Sequence, residues 1–228
     1  MRAKAWWTWA LAALVLAAWG LRLYRLGAQS LSYDEAVTAQ VAQWGLAELT
    51  RWTADDIQPP LYYYGIAGWV RLAGVSEWAL RLPSAAWGAL ALPLMAILGR
   101  RLYERRGGLL AAALAAGAPL YVYYSQDARM YTQLTTLGLL SAYSALRASE
   151  TPAPGRRRWW IVFALSGLAA VYTHYFAFFL LAAFACVVAL RFLASRSWRA
   201  LGEFAVGLAA IFMAYLPWLP VVLNRYRV

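Results

Sequence analysis

The chain has 228 residues, 63% of them hydrophobic, and a mean hydropathy of +0.51, which excludes an ordinary soluble domain. Its formal charge of +11 invites a nucleic-acid partner, yet the arginines cluster in short loops between apolar runs, a pattern that membrane topology alone produces, so no nucleic acid is expected. The single Cys186, inside an apolar run, excludes an internal disulfide and a thiolate metal cluster, and reads as a small buried hydrophobe.

Arg2 and Lys4 precede the apolar stretch Ala5–Leu21, which has the form of a secretory signal with a weak cleavage site at Leu26-Gly27-Ala28. Six further apolar runs follow, so the segment is expected to stay in place as an uncleaved first span. Spans are predicted at about 5–23, 84–99, 108–124, 130–147, 159–173, 175–193 and 201–219. Several are shorter than the roughly 20 residues a bilayer core requires, so their ends must run into polar flanks. All must be helical, because lipid offers no partner for a backbone amide. Thirteen Trp and fifteen Tyr, many near the ends of these runs, fit aromatic belts at the water–lipid boundary. The expected fold class is an all-α polytopic membrane protein of about seven transmembrane helices, with residues 1–228 forming one module.

Orientation follows from the positive residues. With the N-terminus inside, Arg2, Lys4, Arg100, Arg101, Arg105, Arg106, Arg147, Arg156, Arg157, Arg158, Arg191, Arg196 and Arg199 all fall in short inner segments. Asp34, Gln58, Asp127 and His174 then face the extracytoplasmic side together. The expected location is the cytoplasmic (inner) membrane, with the active site on its outer face.

The long outer loop, 24–83, is expected to hold two interfacial helices. Ser32-x-x-Glu35 reads as a capping box opening a helix through about Leu49, Arg51–Ile57 as a polar turn, and Gln58-Pro59-Pro60 as the start of a second helix, Leu61 to about Leu72. Thr151–Gly155 is an ordinary inner loop.

Side chains able to do chemistry are scarce and collect on the outer side. Asp34 is either a dipole-favourable carboxylate in a first helical turn or a general base taking a proton from a hydroxyl. Glu35, at the N3 position of the capping box, is expected to orient the site rather than react. Asp55 and Asp56 could hold a divalent cation through oxygen ligands, or form a solvated turn beside the Pro pair. In Ser125-Gln126-Asp127-Ala128-Arg129-Met130-Tyr131, Ser125 is expected to cap the fourth span and Asp127 suits its N-terminus. Arg129 does not, since a cation there opposes the helix dipole unless an anion sits alongside. The alternative is an Asp127–Arg129 surface pair. Arg81 is a second outer cation, or an interfacial anchor. His174, the single histidine, lies at a hairpin tip that should dip toward the membrane, as packing or as a ligand. No second histidine exists for a His-rich metal site.

Carboxylates, arginines and an apolar surround suit an anionic group carried on a lipid. Group transfer outside the cell membrane needs a membrane-delivered donor, and a sugar on a polyprenyl phosphate meets that need with a leaving group that Arg can stabilise. The order Tyr33-Asp34-Glu35-Ala36, Gln58-Pro59-Pro60-Leu61-Tyr62-Tyr63 and Glu77-x-x-Leu80-Arg81-Leu82-Pro83-Ser84 resembles the membrane glycosyltransferases of the GT-C superfamily. So do Gly99-Arg100-Arg101-Leu102, Tyr124 through Tyr131, and Thr173-His174-Tyr175-Phe176. The similarity covers nearly the whole chain and is specific in order and spacing. It is nearest the protein-mannosyltransferase-like branch, which includes the aminoarabinose and lipopolysaccharide-core sugar transferases.

The resemblance implies a seven-span module with two loop helices after the first span, with Asp34 and Glu35 at the catalytic motif. The expected activity is inverting transfer of a sugar from a polyprenyl-phosphate donor to a lipid, glycan or protein acceptor, with membrane lipids as surroundings. Arg81 and Arg129 would bind the donor phosphate, and Tyr33, Gln58, Pro59, Tyr62, Gln126, Asp127, Tyr131 and His174 would line the substrate cavity. No cofactor is expected to be required; a divalent cation is possible but unsupported. Gln58 stands where many relatives have His before the Pro pair, which weakens a metal there. Relatives also run on past the seventh span, so the chain is expected to be a fragment, an incompletely predicted gene product or a natural minimal form. The competing expectation is a non-catalytic scaffold or lipid-phosphate-binding module of the same fold. A transporter fits less well, because the central spans lack charge.

Overall fold

A computed structural model of the protein describes residues 2–152 and 154–225. Its elements are helical: α1 (Arg2–Leu23), α2 (Tyr33–Val41), α3 (Leu46–Asp55), α4 (Leu61–Ala73), α5 (Glu77–Leu102) and α6 (Arg105–Gly117). They continue with α7 (Pro119–Ser125), α8 (Tyr131–Glu150), α9 (Arg156–Val171), α10 (Ala177–Ala194), α11 (Trp198–Tyr215), a 3-10 turn at Leu216–Trp218 and α12 (Leu219–Arg225). Five of the seven expected spans fall on one helix each; 108–124 is divided between α6 and α7, and 201–219 runs from α11 through the 3-10 turn to the start of α12. Among the described residues four helices are long and apolar enough to cross a membrane, and a fifth crossing results if α6 and α7 form one bent span. At 16 residues α9 is short, and α8 carries Thr132, Gln133, Thr135, Thr136, Ser141 and Ser144, which lower its hydropathy.

The chain divides into two compact units. Unit 1 comprises residues 1–49 and 62–139, and unit 2 comprises 50–61 and 140–228. In unit 1, α5 packs against α1, α6 and α7. The α5–α6 crossing is close because it uses small residues. A Cβ on Gly99 would lie 3.0 Å from the Gly108 Cα, and one on Gly108 would fall on the Ala96 carbonyl. α6 and α7 meet at 65°, where Ala118 turns extended and Pro119, lacking an N–H, starts the new helix.

In unit 2, α9 packs on α11, and α10 contacts both. The core holds Trp160, Phe163 and Phe204, with the Trp160 and Phe204 rings 5.2 Å apart. Ser141 and Ser166 exchange a hydrogen bond at 2.9 Å between α8 and α9. The Leu61 amide donates to the Tyr172 carbonyl at 2.9 Å, docking the Pro59-Pro60 segment on the hairpin tip between α9 and α10.

Three local expectations are corrected. The outer loop holds three helices rather than two: the expected first helix breaks after Val41, and Arg51–Asp55, read as part of a polar turn, is the end of α3. Ser125 does not cap α8, which starts at Tyr131; it ends α7 and is fully buried. Cys186 is exposed on α10 rather than buried. The same helix exposes Val187 and Leu190, as expected of a face that meets lipid instead of a protein core.

Candidate active site

The site in unit 1 is built at the start of α2. Ser32 Oγ accepts from the Glu35 amide at 3.3 Å while Glu35 Oε2 accepts from the Ser32 amide at 2.9 Å, so the expected capping box is complete. That box fixes two neighbouring carboxylates in opposite environments. Glu35 turns inward and is 3% exposed, whereas the Asp34 side chain is 61% exposed.

Glu35 is held by an arginine 46 residues away. Arg81 Nε donates to Oε1 at 2.7 Å and Nη2 to Oε2 at 2.8 Å, a bidentate pair that is buried on both sides. The Ala128 amide adds a third contact to Oε1 at 3.0 Å. Burial works to raise the Glu35 pKa, but the hydrogen bonds from Arg81, Ser32 and Ala128 outweigh it and hold the carboxyl below its ordinary value. The remaining Arg81 donors go to the carbonyls of Leu26 (2.9 Å), Gln29 (3.0 Å) and Ser30 (3.1 Å). All five guanidinium N–H groups are therefore committed. Arg81, expected on the donor phosphate, here ties α5 to the end of α1 and the cap of α2.

Arg129 is different. It is 8% exposed, its Nε has no acceptor among the described residues, and its Nη2 lies 3.8 Å from Asp34 Oδ2. Its backbone is fixed, since the carbonyl accepts from Ser84 Oγ at 3.1 Å. A buried cation with unused donor capacity faces an accessible carboxylate. Asp34 lies within ion-pair distance of Arg129, and the Arg129 charge also acts on Asp127.

Asp127 lines a cleft of ≈ 490 Å³ with Glu35, Arg81, Ser30, Ser32 and Gln126. Burial, with the Glu35 charge nearby, pushes its pKa up to about 6. Gln126 borders the same cleft, but its Nε2 donates to the carbonyls of Arg22 at 3.0 Å and Tyr24 at 2.9 Å. It thus satisfies the C-terminal carbonyls that α1 leaves open. Tyr33 is 83% exposed, and the Tyr131 ring lies 4.7 Å from that of Tyr124. Tyr62 is buried, with its hydroxyl beside Ser84. It borders an apolar groove of ≈ 370 Å³ with Trp19, Trp69, Pro83, Trp87 and Gln133.

Gln58, Pro59 and His174 belong to unit 2 and are buried there. His174 Nδ1 accepts from the Phe176 amide at 3.1 Å, which orients the ring at the hairpin tip. Gln58 Oε1 is buried without a donor among the described residues. Asp55 and Asp56 lie at and just beyond the end of α3, and no group of three or more His, Cys, Asp or Glu among the described residues is placed to hold a metal ion.

Sequence reasoning missed Arg22. Fully buried on α1, it donates from Nε to Ser125 Oγ at 3.1 Å and from Nη1 to the Ala18 carbonyl at 3.0 Å. A longer contact reaches the Ala116 carbonyl at 3.4 Å, a group freed by the α6–α7 bend. It also sits 5.3 Å from the Tyr121 ring centroid. A lone arginine at the end of a first span is ordinarily an interfacial anchor, so no local signal sets this one apart.

The long apolar helices define a polytopic membrane protein, and the family match places it in the GT-C superfamily. The profile of the dolichyl-phosphate-mannose-protein mannosyltransferase family matches residues 57–220, and the chain belongs to that family. No curated protein matches the chain. Among solved structures it is similar to ArnT from Cupriavidus metallidurans in the apo state, with a TM-score of 0.70 and 19% identity, covering 99% of this chain and 43% of that one. The same protein bound to undecaprenyl phosphate gives a TM-score of 0.65 and 20% identity, covering 96% and 42%. The chain thus spans less than half the length of these structures.

Proposed function

We propose that the protein is an inverting glycosyltransferase that moves a sugar from a polyprenyl-phosphate carrier to an acceptor hydroxyl on the extracytoplasmic face of the inner membrane. The observation that carries this is the exposed Asp34 carboxylate 3.8 Å from the buried guanidinium of Arg129. Asp34 accepts the acceptor's hydroxyl proton as the oxygen attacks the anomeric carbon. The bond from that carbon to the phosphate oxygen breaks, and the carrier phosphate leaves with the electron pair. One displacement inverts the anomeric configuration. Arg129 stabilises the departing phosphate from a site where burial strengthens its field. The Glu35–Arg81 bridge holds both in place. The apolar groove beside Tyr62 and Pro83 offers a surface for the prenyl chain, since Pro83 adjoins Ser84, which holds the Arg129 backbone. Similarity to a fold solved with undecaprenyl phosphate supports the donor class.

The test is incubation of membranes containing the protein with a panel of polyprenyl-phosphate sugars, comparing wild type with Asp34→Asn. Transfer by the wild type and its loss in Asp34→Asn, with carrier binding retained, is the expected result. A wild type that binds the carrier and never turns it over with any acceptor would instead be a lipid-phosphate-binding module.

A further inference from the structure

We propose a second lipid site in unit 2, where α9 and α11 begin: an anionic phospholipid with an acyl chain in a groove between these helices and its phosphodiester on Arg157 and Arg199. The groove measures ≈ 540 Å³ and is lined by Trp160, Ile161, Ala164 and Val206, with Arg157 and Arg199 among its border residues. Its walls are apolar and Ile161 and Val206 are exposed, so an aqueous occupant would leave most of it unsatisfied.

The charge at this end calls for an anion. Both helices begin without a side-chain cap and without an acidic residue in the first turn. α9 opens instead on Arg156-Arg157-Arg158, cations where the helix dipole is positive. Glu203 offsets part of this, lying 3.6 Å from Arg156 Nε and 3.4 Å from Arg199 Nε. That carboxylate, itself in the groove lining, is shared by two arginines, while Arg157 borders the same groove. Arg157, exposed at the border of the groove, has no side-chain partner among the described residues. The Arg156 and Arg157 amides of α9 already donate to the Pro152 and Pro154 carbonyls, so further backbone donors for a phosphate come from the start of α11.

An independent observation comes from Trp160. It is 5% exposed and lines the groove, yet its indole N–H has no acceptor among the described residues. A buried donor of that kind requires one, and the phosphate and ester oxygens of a lipid supply acceptors directly above an acyl chain. Free phosphate would fill the charged mouth and leave the apolar walls bare. A neutral lipid would fill the walls and leave Arg157 unpaired and Arg199 sharing one carboxylate with Arg156. An acidic amphiphile answers both, and the concentration of positive residues on this side suits a leaflet rich in such lipids. The site does not depend on the transferase proposal, since no residue in it belongs to unit 1.

Native mass spectrometry of the delipidated full chain in neutral detergent tests the site, using phosphatidylglycerol and phosphatidylcholine of the same acyl chains. Arg157→Gln, which breaks no internal contact, should weaken phosphatidylglycerol retention about 5-fold, and Arg157→Gln with Arg199→Gln about 30-fold, with phosphatidylcholine unchanged. Ala164→Phe should lower retention by filling the groove while every charge stays. The pair Arg101→Gln and Arg106→Gln, the same charge removed from unit 1, should change nothing. The proposal is overturned if that control weakens binding as much as the Arg157/Arg199 pair, or if Ala164→Phe has no effect. Full displacement of the lipid by glycerol phosphate would also overturn it, because the chain would then contribute nothing. Should the double variant misfold, Arg157→Gln and Ala164→Phe still decide the matter.

Discussion

Arg81 separates a scaffold from a substrate contact, and Arg81→Lys is the perturbation that distinguishes them. Lysine keeps the charge but brings three donors to five acceptor sites, the two Glu35 oxygens and the carbonyls of Leu26, Gln29 and Ser30. At least two buried acceptors lose a partner, at roughly 1–3 kcal/mol each, so the loss is roughly 2–6 kcal/mol. Glu35→Gln should cost about 3–5 kcal/mol, because it leaves the Arg81 charge buried and turns an amide N–H toward existing donors. Both Arg81 and Glu35 are buried, so solvent screening does not reduce these figures. For a chain of this size the shift in Tm is on the order of 10 °C. The assay is thermal unfolding in detergent beside retention of a polyprenyl phosphate on the purified chain. Arg81→Lys should lower Tm and reduce retention only in proportion to unfolding. An unchanged Tm with retention lost would refute the reasoning and make Arg81 a phosphate ligand.

Arg129→Gln should behave in the opposite way, keeping Tm within a few degrees and weakening carrier retention about tenfold or more, the worth of one charged contact to phosphate; equal retention by variant and wild type would remove Arg129 from the site. Gly88→Ala should destabilise the first unit by about 1–3 kcal/mol, since the added Cβ would fall on Ser125 Oγ and lie 3.2 Å from Arg22 Nε; an unchanged Tm would show that the Arg22–Ser125 contact carries no weight. Asp127 has a folded pKa raised to about 6, so the folded state holds the proton that the unfolded state releases first. Its contribution to stability is therefore largest at acid pH and falls as pH rises from about 4 to about 6. Comparing Tm against pH in wild type and Asp127→Asn isolates this term from Glu35, whose lowered pKa gives the opposite slope. Parallel curves for the two proteins would show that Asp127 is not held protonated.

How legible the site was depends on how far its partners lie apart in the chain. The capping box was readable because Ser32 and Glu35 are three residues apart and helix geometry alone brings them together. The pairing of Glu35 with Arg81 was not, since it requires the turn after α1, the start of α2 and the first turn of α5 to meet. Sequence therefore showed two outer cations of equal standing, and only the fold distinguishes the saturated one from the one with a donor to offer. Gln126 shows the same thing at greater range: it looks like a cavity amide until α1, more than a hundred residues earlier, is found to end against it. The outer-loop helix broke early for a local reason that composition understated, because Trp44 and Gly45 follow Val41 and Gly is poor inside a helix. Spans were legible for the reverse reason. Lipid compels each apolar run to close its own backbone bonds, so the predicted spans are helical whatever their neighbours, though four or five helices among the described residues are long and apolar enough to cross. Within such a bundle the rare polar groups must be partnered at a distance, and a scaffold arginine and a substrate arginine look alike until those partners are known.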